Sequence, residues 1–237
     1  MKNMNDNNVI FDQRSDGLNA FFSKIYALMR AGVLVSALVS WIMITFFLDN
    51  MTAILQSGRL FLLVLWIIPL VMVVSLQGLA MKNSNMALPI FIGYAAFMGF
   101  LISFTLLMYT ATDITLAFIT ASAMFFGLSV YGRFTKRNLS AMGKAFGVAV
   151  WGLIIAMLLN LFFASSGLTI LISLVGVVIF AGLIAWDNQK ITQVYNANNG
   201  QVSDGWAISM ALSLYLDFIN MFLFLLRLFG IAGGNRD

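Results

Sequence analysis

Long apolar runs occupy most of the chain and restrict its fold more than any other feature. Seven runs are separated by short polar joints, and each is about 20 residues long, which as a helix spans the hydrocarbon core of a bilayer. Backbone polar groups find no water in lipid, so spanning segments of this kind form helices. We therefore predict an all-α polytopic membrane protein. Its seven spans are predicted at 25–48, 60–81, 86–109, 114–132, 145–164, 168–197 and 203–230.

The composition excludes several kinds of chemistry. Hydrophobic residues make up 61% of the chain and charged residues only 9%, which is too little charge for a soluble domain. Cysteine and histidine are absent, so thiolate chemistry and the most common metal ligand are excluded. Every acidic side chain is an aspartate. Any proton or cation chemistry therefore depends on aspartates, hydroxyls, amides and backbone carbonyls.

The basic residues predict which face of the membrane each joint occupies. Ten of the 13 Lys and Arg fall in the N-terminal tail and in joints on one face of a seven-span arrangement. Cytoplasmic joints carry the excess of Lys and Arg, so the N-terminus is predicted inside and the C-terminus outside. The same joints explain the net charge of +4, and we expect no nucleic-acid partner. The predicted domains are a mobile polar cytoplasmic tail at 1–22 and a seven-helix transmembrane domain at 23–237, whose partner is the lipid bilayer.

One aspartate, Asp217, lies far inside the last apolar run. A carboxylate in hydrocarbon is costly unless it is paired, hydrated or protonated. Ser209, Ser213 and Asn220 occur on the same helix face at helical spacing and form one polar stripe with it. Such a stripe faces the bundle centre or water rather than lipid. We therefore predict that these three residues line a pathway.

A second aspartate, Asp187, is predicted to face Asp217 across a helical hairpin. Residues 198–200 are a helix stop, and the next helix is predicted to begin at Ser203. The helix between Asp187 and the stop is about 18 Å long, and the helix from Ser203 to Asp217 is about 21 Å long. In an antiparallel hairpin the two carboxylates then lie at nearly the same depth. A simpler interpretation makes Asp187 a helix-end residue paired with Lys190, one turn further on.

Two buried carboxylates at one depth are expected to act as a unit. Like charges in contact disfavour double ionisation, so the pair holds one shared proton over some range of pH. A divalent cation, or the ammonium of Lys82 at the cytoplasmic end of the second span, can replace that proton. Carboxylate, hydroxyl, amide and carbonyl oxygens suit a hard cation such as calcium. Asp187 and Asp217 are therefore the predicted metal ligands.

Three segments of the chain carry a family likeness. They are L-S-L-Y-L-D-F-I-N-M-F-L-F-L-L-R-L-F-G at 212–230, A-W-D-N-Q-K-I at 185–191 and Y-G-R-F-T-K-R-N-L-S at 131–140. The first resembles the C-terminal signature of the Bax inhibitor (transmembrane Bax-inhibitor-motif) family, in its bacterial branch. The second resembles the family's Tyr-Asp motif, and the third resembles its basic joint between the fourth and fifth helices.

The resemblance implies a specific fold and function. Members have seven helices, with the C-terminal helix surrounded by the other six. Bacterial members are pH-sensitive calcium leak channels of the inner membrane, gated by two aspartates that match Asp187 and Asp217. A basic residue at the end of the second helix latches onto that pair, and Lys82 is the candidate here, where the family often has arginine. Trp186 and Asn188 stand where the family usually has tyrosine and threonine.

Two other function classes are a regulatory or scaffold protein and an intramembrane protease. The resemblance also allows a regulatory or scaffold protein that modulates a membrane protease or a stress response without ion transport, with the tail at 1–20 contacting the partner. Intramembrane aspartyl proteases also use a buried aspartate pair, but they include a Gly-Asp pair, whereas Trp186 and Leu216 precede the aspartates here. We therefore expect no enzyme activity and no cofactor, with calcium as the bound or transported ion.

Overall fold

The computed structural model describes residues 4–56, 59–83 and 85–234, and their regular secondary structure is entirely helical. The apolar runs form helices as predicted, because a helix satisfies its own backbone hydrogen bonds in lipid. The all-α fold class is confirmed. The helices are α1 (Met4–Phe46), α2 (Leu48–Gln56), α3 (Arg59–Met81), α4 (Ala87–Leu106), α5 (Ala111–Phe134), α6 (Ser140–Phe163), α7 (Ser166–Ala197) and α8 (Asp204–Gly233).

The C-terminal helix α8 lies at the centre of the bundle, as predicted. In its most apolar stretch 83% of the residues are buried, against 50% or less in the other candidate membrane spans. It packs against α1, α3, α4, α5 and α7, whereas α6 packs mainly on the outer side of α7. Ser209 and Asp217 of its polar stripe are buried in this position, away from lipid, where polar groups are costly.

Several helices are suited to a bilayer. Six of those described are long and apolar enough to cross it, namely α4 to α8 and the part of α1 at Ser15–Phe46. The predicted second span corresponds to α3, whose described apolar stretch, Ile67–Met81, is shorter than the other candidates. The chain is therefore a polytopic helical membrane protein, and the count of seven spans stays a prediction.

The first helix begins well before the predicted first span. Since α1 starts at Met4, the predicted domain boundary between residues 22 and 23 falls inside it. Phe21 and Phe22 are buried, and the Phe21 ring packs against Tyr195 of α7 with 5.9 Å between centroids. The packed part of the chain thus begins before residue 23. Residues 1–3 and the side chains of 4–14 lie outside the described part, so the mobility of the tail stays a prediction.

The hairpin of α7 and α8 positions the two aspartates. Helix α7 ends at Ala197 and α8 begins at Asp204. Between them Asn199 and Gly200 have φ angles of 52° and 80°, the left-handed conformation that ends helices and that glycine adopts without strain. The predicted helix stop at 198–200 is therefore confirmed.

Candidate cation site

Asp187 on α7 and Asp217 on α8 are both buried inside the bundle. Their exposed fractions are 6% and 7%. The hairpin sets them within about one helical turn of the same depth, and the two carboxylates interact electrostatically. The structure thus brings together the two aspartates that the sequence predicted to face each other.

One polar side chain of α8, Ser213, lies close to the Asp187 carboxylate. The Oδ2 atom of Asp217 is buried and has no hydrogen-bond partner among the described residues. A buried polar atom left in that state costs about 1–3 kcal/mol. This oxygen is therefore available to a proton or a cation.

Lys190 is the cation that acts on the pair. It follows Asp187 by one turn of α7 and interacts electrostatically with both carboxylates. Its Nζ atom lies 5.0 Å from the centre of the Trp186 ring, the distance of a cation–π contact. Asp187 lies inside α7, ten residues before the helix ends, and among the described residues no ion pair joins it to Lys190.

Lys82 lies away from the pair. It is exposed, directly after the end of α3, and the neighbouring Asn83 accepts a hydrogen bond from the Gly205 backbone N–H at 2.9 Å. Gly205 is about 18 Å from Asp217 along α8, which is farther than a lysine side chain extends. The structure does not bring Lys82 to the aspartates, and its role as a latch stays a prediction.

The polar stripe on α8 has three different environments. Ser209 is buried and donates to the Gln77 side chain of α3 at 2.6 Å. Ser213 reaches the aspartate pair, and Asn220 donates to a backbone carbonyl one turn earlier at 2.8 Å. Gln77 is not among the predicted site residues, although a glutamine inside an apolar run indicates a buried polar partner. That the stripe lines a pathway stays a prediction.

Asn188, next to Asp187, joins α7 to two other helices. Its side chain is fully buried. Its Oδ1 atom accepts from the Tyr26 hydroxyl of α1 at 2.5 Å, and its Nδ2 atom donates to the Ser129 hydroxyl of α5 at 3.1 Å. Buried polar networks with every member paired restrict helix rotation. This network therefore helps to hold the face of α7 that presents Asp187 toward α8.

Replacing Asn188 with alanine is expected to destabilise the fold by about 2–4 kcal/mol, because the Tyr26 and Ser129 hydroxyls lose their partner and a small cavity opens. Thermal unfolding in detergent, followed by tryptophan fluorescence, measures the loss. Gln193→Ala changes an exposed residue of the same helix and is expected to stay within about 0.5 kcal/mol of the native chain. Equal losses in the two variants would contradict the role given to the network.

The two carboxylates provide oxygen ligands of the kind that hard cations bind. No group of three or more His, Cys, Asp or Glu side chains converges among the described residues. Calcium takes roughly six to eight oxygen ligands, more than two carboxylates and the Ser213 hydroxyl provide. These side chains therefore do not complete a calcium site by themselves.

Comparison with known proteins identifies the family. Residues 18–234 match the family described as Inhibitor of apoptosis-promoting Bax1. The chain belongs to the Bax inhibitor family. It is 96% identical to YrjE of Lactococcus lactis subsp. lactis (strain IL1403) over 99% of this chain and 100% of that protein. A membrane protein of Streptococcus pyogenes serotype M3 is 48% identical over 96% of this chain and 99% of its own length. The inner membrane protein YbhL of Escherichia coli (strain K12) is 34% identical over 90% of this chain and 92% of its own length.

Membership of the Bax inhibitor family confirms the resemblance found in the motifs. Relatives that cover nearly the whole chain are bacterial proteins named as membrane or inner membrane proteins. Together with the apolar helices, this identifies a bacterial membrane protein of the Bax inhibitor family. The orientation of its two termini stays a prediction.

Proposed function

We propose that this Bax inhibitor family protein is a passive, pH-sensitive leak for calcium ions across the bacterial inner membrane. The observation that supports it most is the buried pair of Asp187 and Asp217, whose Oδ2 atom on Asp217 has no partner among the described residues. Ionisable side chains inside a membrane are costly and typically belong to ion or proton pathways. The pair, not an enzymatic reaction or a resident cofactor, is the functional centre in this proposal.

Competition between protons and calcium gives the leak its pH dependence. A pair that shares one proton presents a single negative charge, whereas the fully ionised pair presents two. Lys190 offsets one of these charges, because it interacts with both carboxylates. The attraction of the site for a divalent cation therefore changes with its protonation state.

The proposed route follows the polar stripe of α8 past the pair. In the present conformation Ser209 bonds to Gln77 and Asn220 bonds to the backbone. Opening the route requires these groups to exchange protein partners for water or the ion. Lys24 of α1 forms an ion pair with Asp204, so the polar start of α1 and the α7–α8 joint lie on one face of the bundle. We propose that this face is cytoplasmic and that the C-terminus is outside.

Calcium flux into proteoliposomes across a pH series tests the proposal. The native chain is expected to give a flux above that of empty vesicles, and this flux is expected to change with pH. The double variant Asp187→Asn/Asp217→Asn is expected to lose the pH dependence. Asp49→Asn makes the same chemical change at an exposed site and is expected to keep it. An unchanged pH dependence in the double variant would refute the role of the pair.

A regulatory or scaffold role without ion transport is the alternative. Helix α1 is 43 residues long, or about 65 Å, and the hydrocarbon core is only about 30 Å thick. Its N-terminal part therefore extends beyond the bilayer, where a membrane protease or another regulatory partner can contact it. Absence of flux at every pH, together with capture of a protease that depends on residues 1–20, would favour this role.

A further inference from the structure

A cavity of about 170 Å³ lies between α6, α7 and α8, toward the end of the bundle opposite the α7–α8 joint. It is separate from the aspartate pair, because Arg227 is about 15 Å from Asp217 along α8. The residues that line the cavity are Met157, Asn160, Leu161, Thr169, Ile172 and Arg227.

The guanidinium of Arg227 is poorly compensated in this cavity. The side chain is mostly buried. Its Nη1 atom contacts the Met157 Sδ atom at 3.6 Å, and its Cζ atom lies 5.4 Å from the centre of the Phe224 ring. Among the described residues no carboxylate lies within ion-pairing distance of it. A thioether and a ring face offset only a small part of a full charge in a membrane.

Tyr109 of the α4–α5 joint lies near Arg227, and Asp113 of α5 lies near Tyr109, but neither neutralises the guanidinium. Tyr109 interacts with it electrostatically, and burial raises the pKa of Tyr109 above its ordinary value, so the phenol stays neutral. Asp113 closes the capping box of α5 and accepts from the Thr110 hydroxyl at 2.7 Å and the Thr110 N–H at 3.3 Å. An external anion can therefore bind the guanidinium.

Asn160 adds a neutral donor beside the guanidinium. Its Nδ2 atom donates to the Thr169 hydroxyl at 2.7 Å, and its Oδ1 atom accepts from the Ser165 N–H at 3.2 Å. Because an amide nitrogen carries two hydrogens, one donor of Asn160 stays available. Guanidinium and amide N–H donors suit a phosphate oxyanion and repel a cation.

The cavity lies near the end of α6 and the start of α7, beside an apolar surface. Asn160 is within one turn of the end of α6, and Thr169 is within one turn of the start of α7. On the outer side of α6 the side chains of Leu161 and Phe162 are 63% and 86% exposed. A cationic pocket next to exposed apolar side chains matches an amphiphile with an anionic head.

We propose that this cavity binds the phosphate group of a membrane phospholipid. Arg227 is the principal ligand, through the two parallel N–H bonds that a guanidinium forms with phosphate. Asn160 supplies a further donor, and the acyl chains lie along Leu161 and Phe162. The site does not depend on the proposed calcium leak.

Thermal unfolding of the full chain in detergent with added lipid tests the site. Phosphatidylglycerol is compared with diacylglycerol that has the same acyl chains, so that only the phosphate headgroup differs. Phosphatidylglycerol is expected to raise the unfolding temperature of the native chain, because a ligand that binds the folded state stabilises it. Diacylglycerol is expected to leave it unchanged.

Variants of Arg227 identify the ligand residue. Arg227→Met is expected to weaken phosphatidylglycerol binding about tenfold or more. Arg227→Lys keeps the charge without the planar fork and is expected to bind with intermediate affinity. Lys144→Gln removes an exposed cation near the other end of α6 and is expected to bind like the native chain.

A further comparison with inorganic phosphate shows whether the bound phosphate belongs to a lipid or is the free ion. If inorganic phosphate alone stabilises the native chain and competes with phosphatidylglycerol, the phosphate site is supported and its ligand is the free ion. Equal stabilisation by phosphatidylglycerol and diacylglycerol, or unchanged binding in Arg227→Met, would overturn the proposal. Should Arg227→Met fail to fold, the same comparison of lipids is made on the native chain and on Arg227→Lys. Equal affinities of these two chains for phosphatidylglycerol would then overturn the proposal.

Discussion

Gly132→Ala is expected to destabilise the bundle by about 1–3 kcal/mol. A Cβ atom on Gly132 of α5 would lie 2.9 Å from the Ala185 Cα atom of α7 and still closer to the Ala185 carbonyl oxygen. The obstacle is backbone, so no rotation of a side chain relieves the overlap and the two helices have to separate. Thermal unfolding in detergent measures the loss.

Gly127→Ala provides a matched control on the same helix. A Cβ atom at Gly127 meets no atom within 4 Å, and alanine favours a helix over glycine by up to about 1 kcal/mol. The same substitution is therefore expected to change stability in opposite directions at the two positions. A similar effect at both would contradict the close approach of α5 and α7, which lies next to the segment that carries Asp187.

Asp217→Asn is expected to raise the free energy of unfolding by about 1–3 kcal/mol. The Asp217 carboxylate is buried beside Asp187, and its Oδ2 atom has no partner among the described residues. An amide has nearly the same shape but does not ionise, so the pair no longer has to carry two like charges or share a proton. Thermal unfolding at neutral pH measures the gain, and calcium flux in the same variant is expected to lose its dependence on pH.

The sign of the stability change in Asp217→Asn distinguishes a carboxylate kept for function from one that stabilises the fold. Asp49→Asn, at an exposed position of α2, is expected to stay within about 0.5 kcal/mol of the native chain. Residues kept for function commonly reduce stability. A marked loss of stability in Asp217→Asn would mean that the carboxylate makes a stabilising contact, and the pair would then be part of the scaffold rather than of an ion site.

The local features of the site were predictable because helix geometry is local. The rise of the helix, about 1.5 Å per residue, and the stop at 198–200 were sufficient to set Asp187 and Asp217 at one depth. The start of α1 was harder to predict, since a polar segment can form a helix when its apolar residues, such as Phe21 and Phe22, pack against other helices. Helix α1 accordingly begins before the predicted boundary between residues 22 and 23.

The helical membrane class and the family follow from the sequence alone, as does the common depth of the two aspartates, because apolar run length, motif and helical rise are properties of neighbouring residues. Which polar groups come together across helices depends on the tertiary structure. It placed Lys190 rather than Lys82 at the pair, joined Ser209 to Gln77, and left Arg227 facing a cavity. Those contacts depend on the rotation and crossing of each helix, which run length and residue spacing within one helix do not specify.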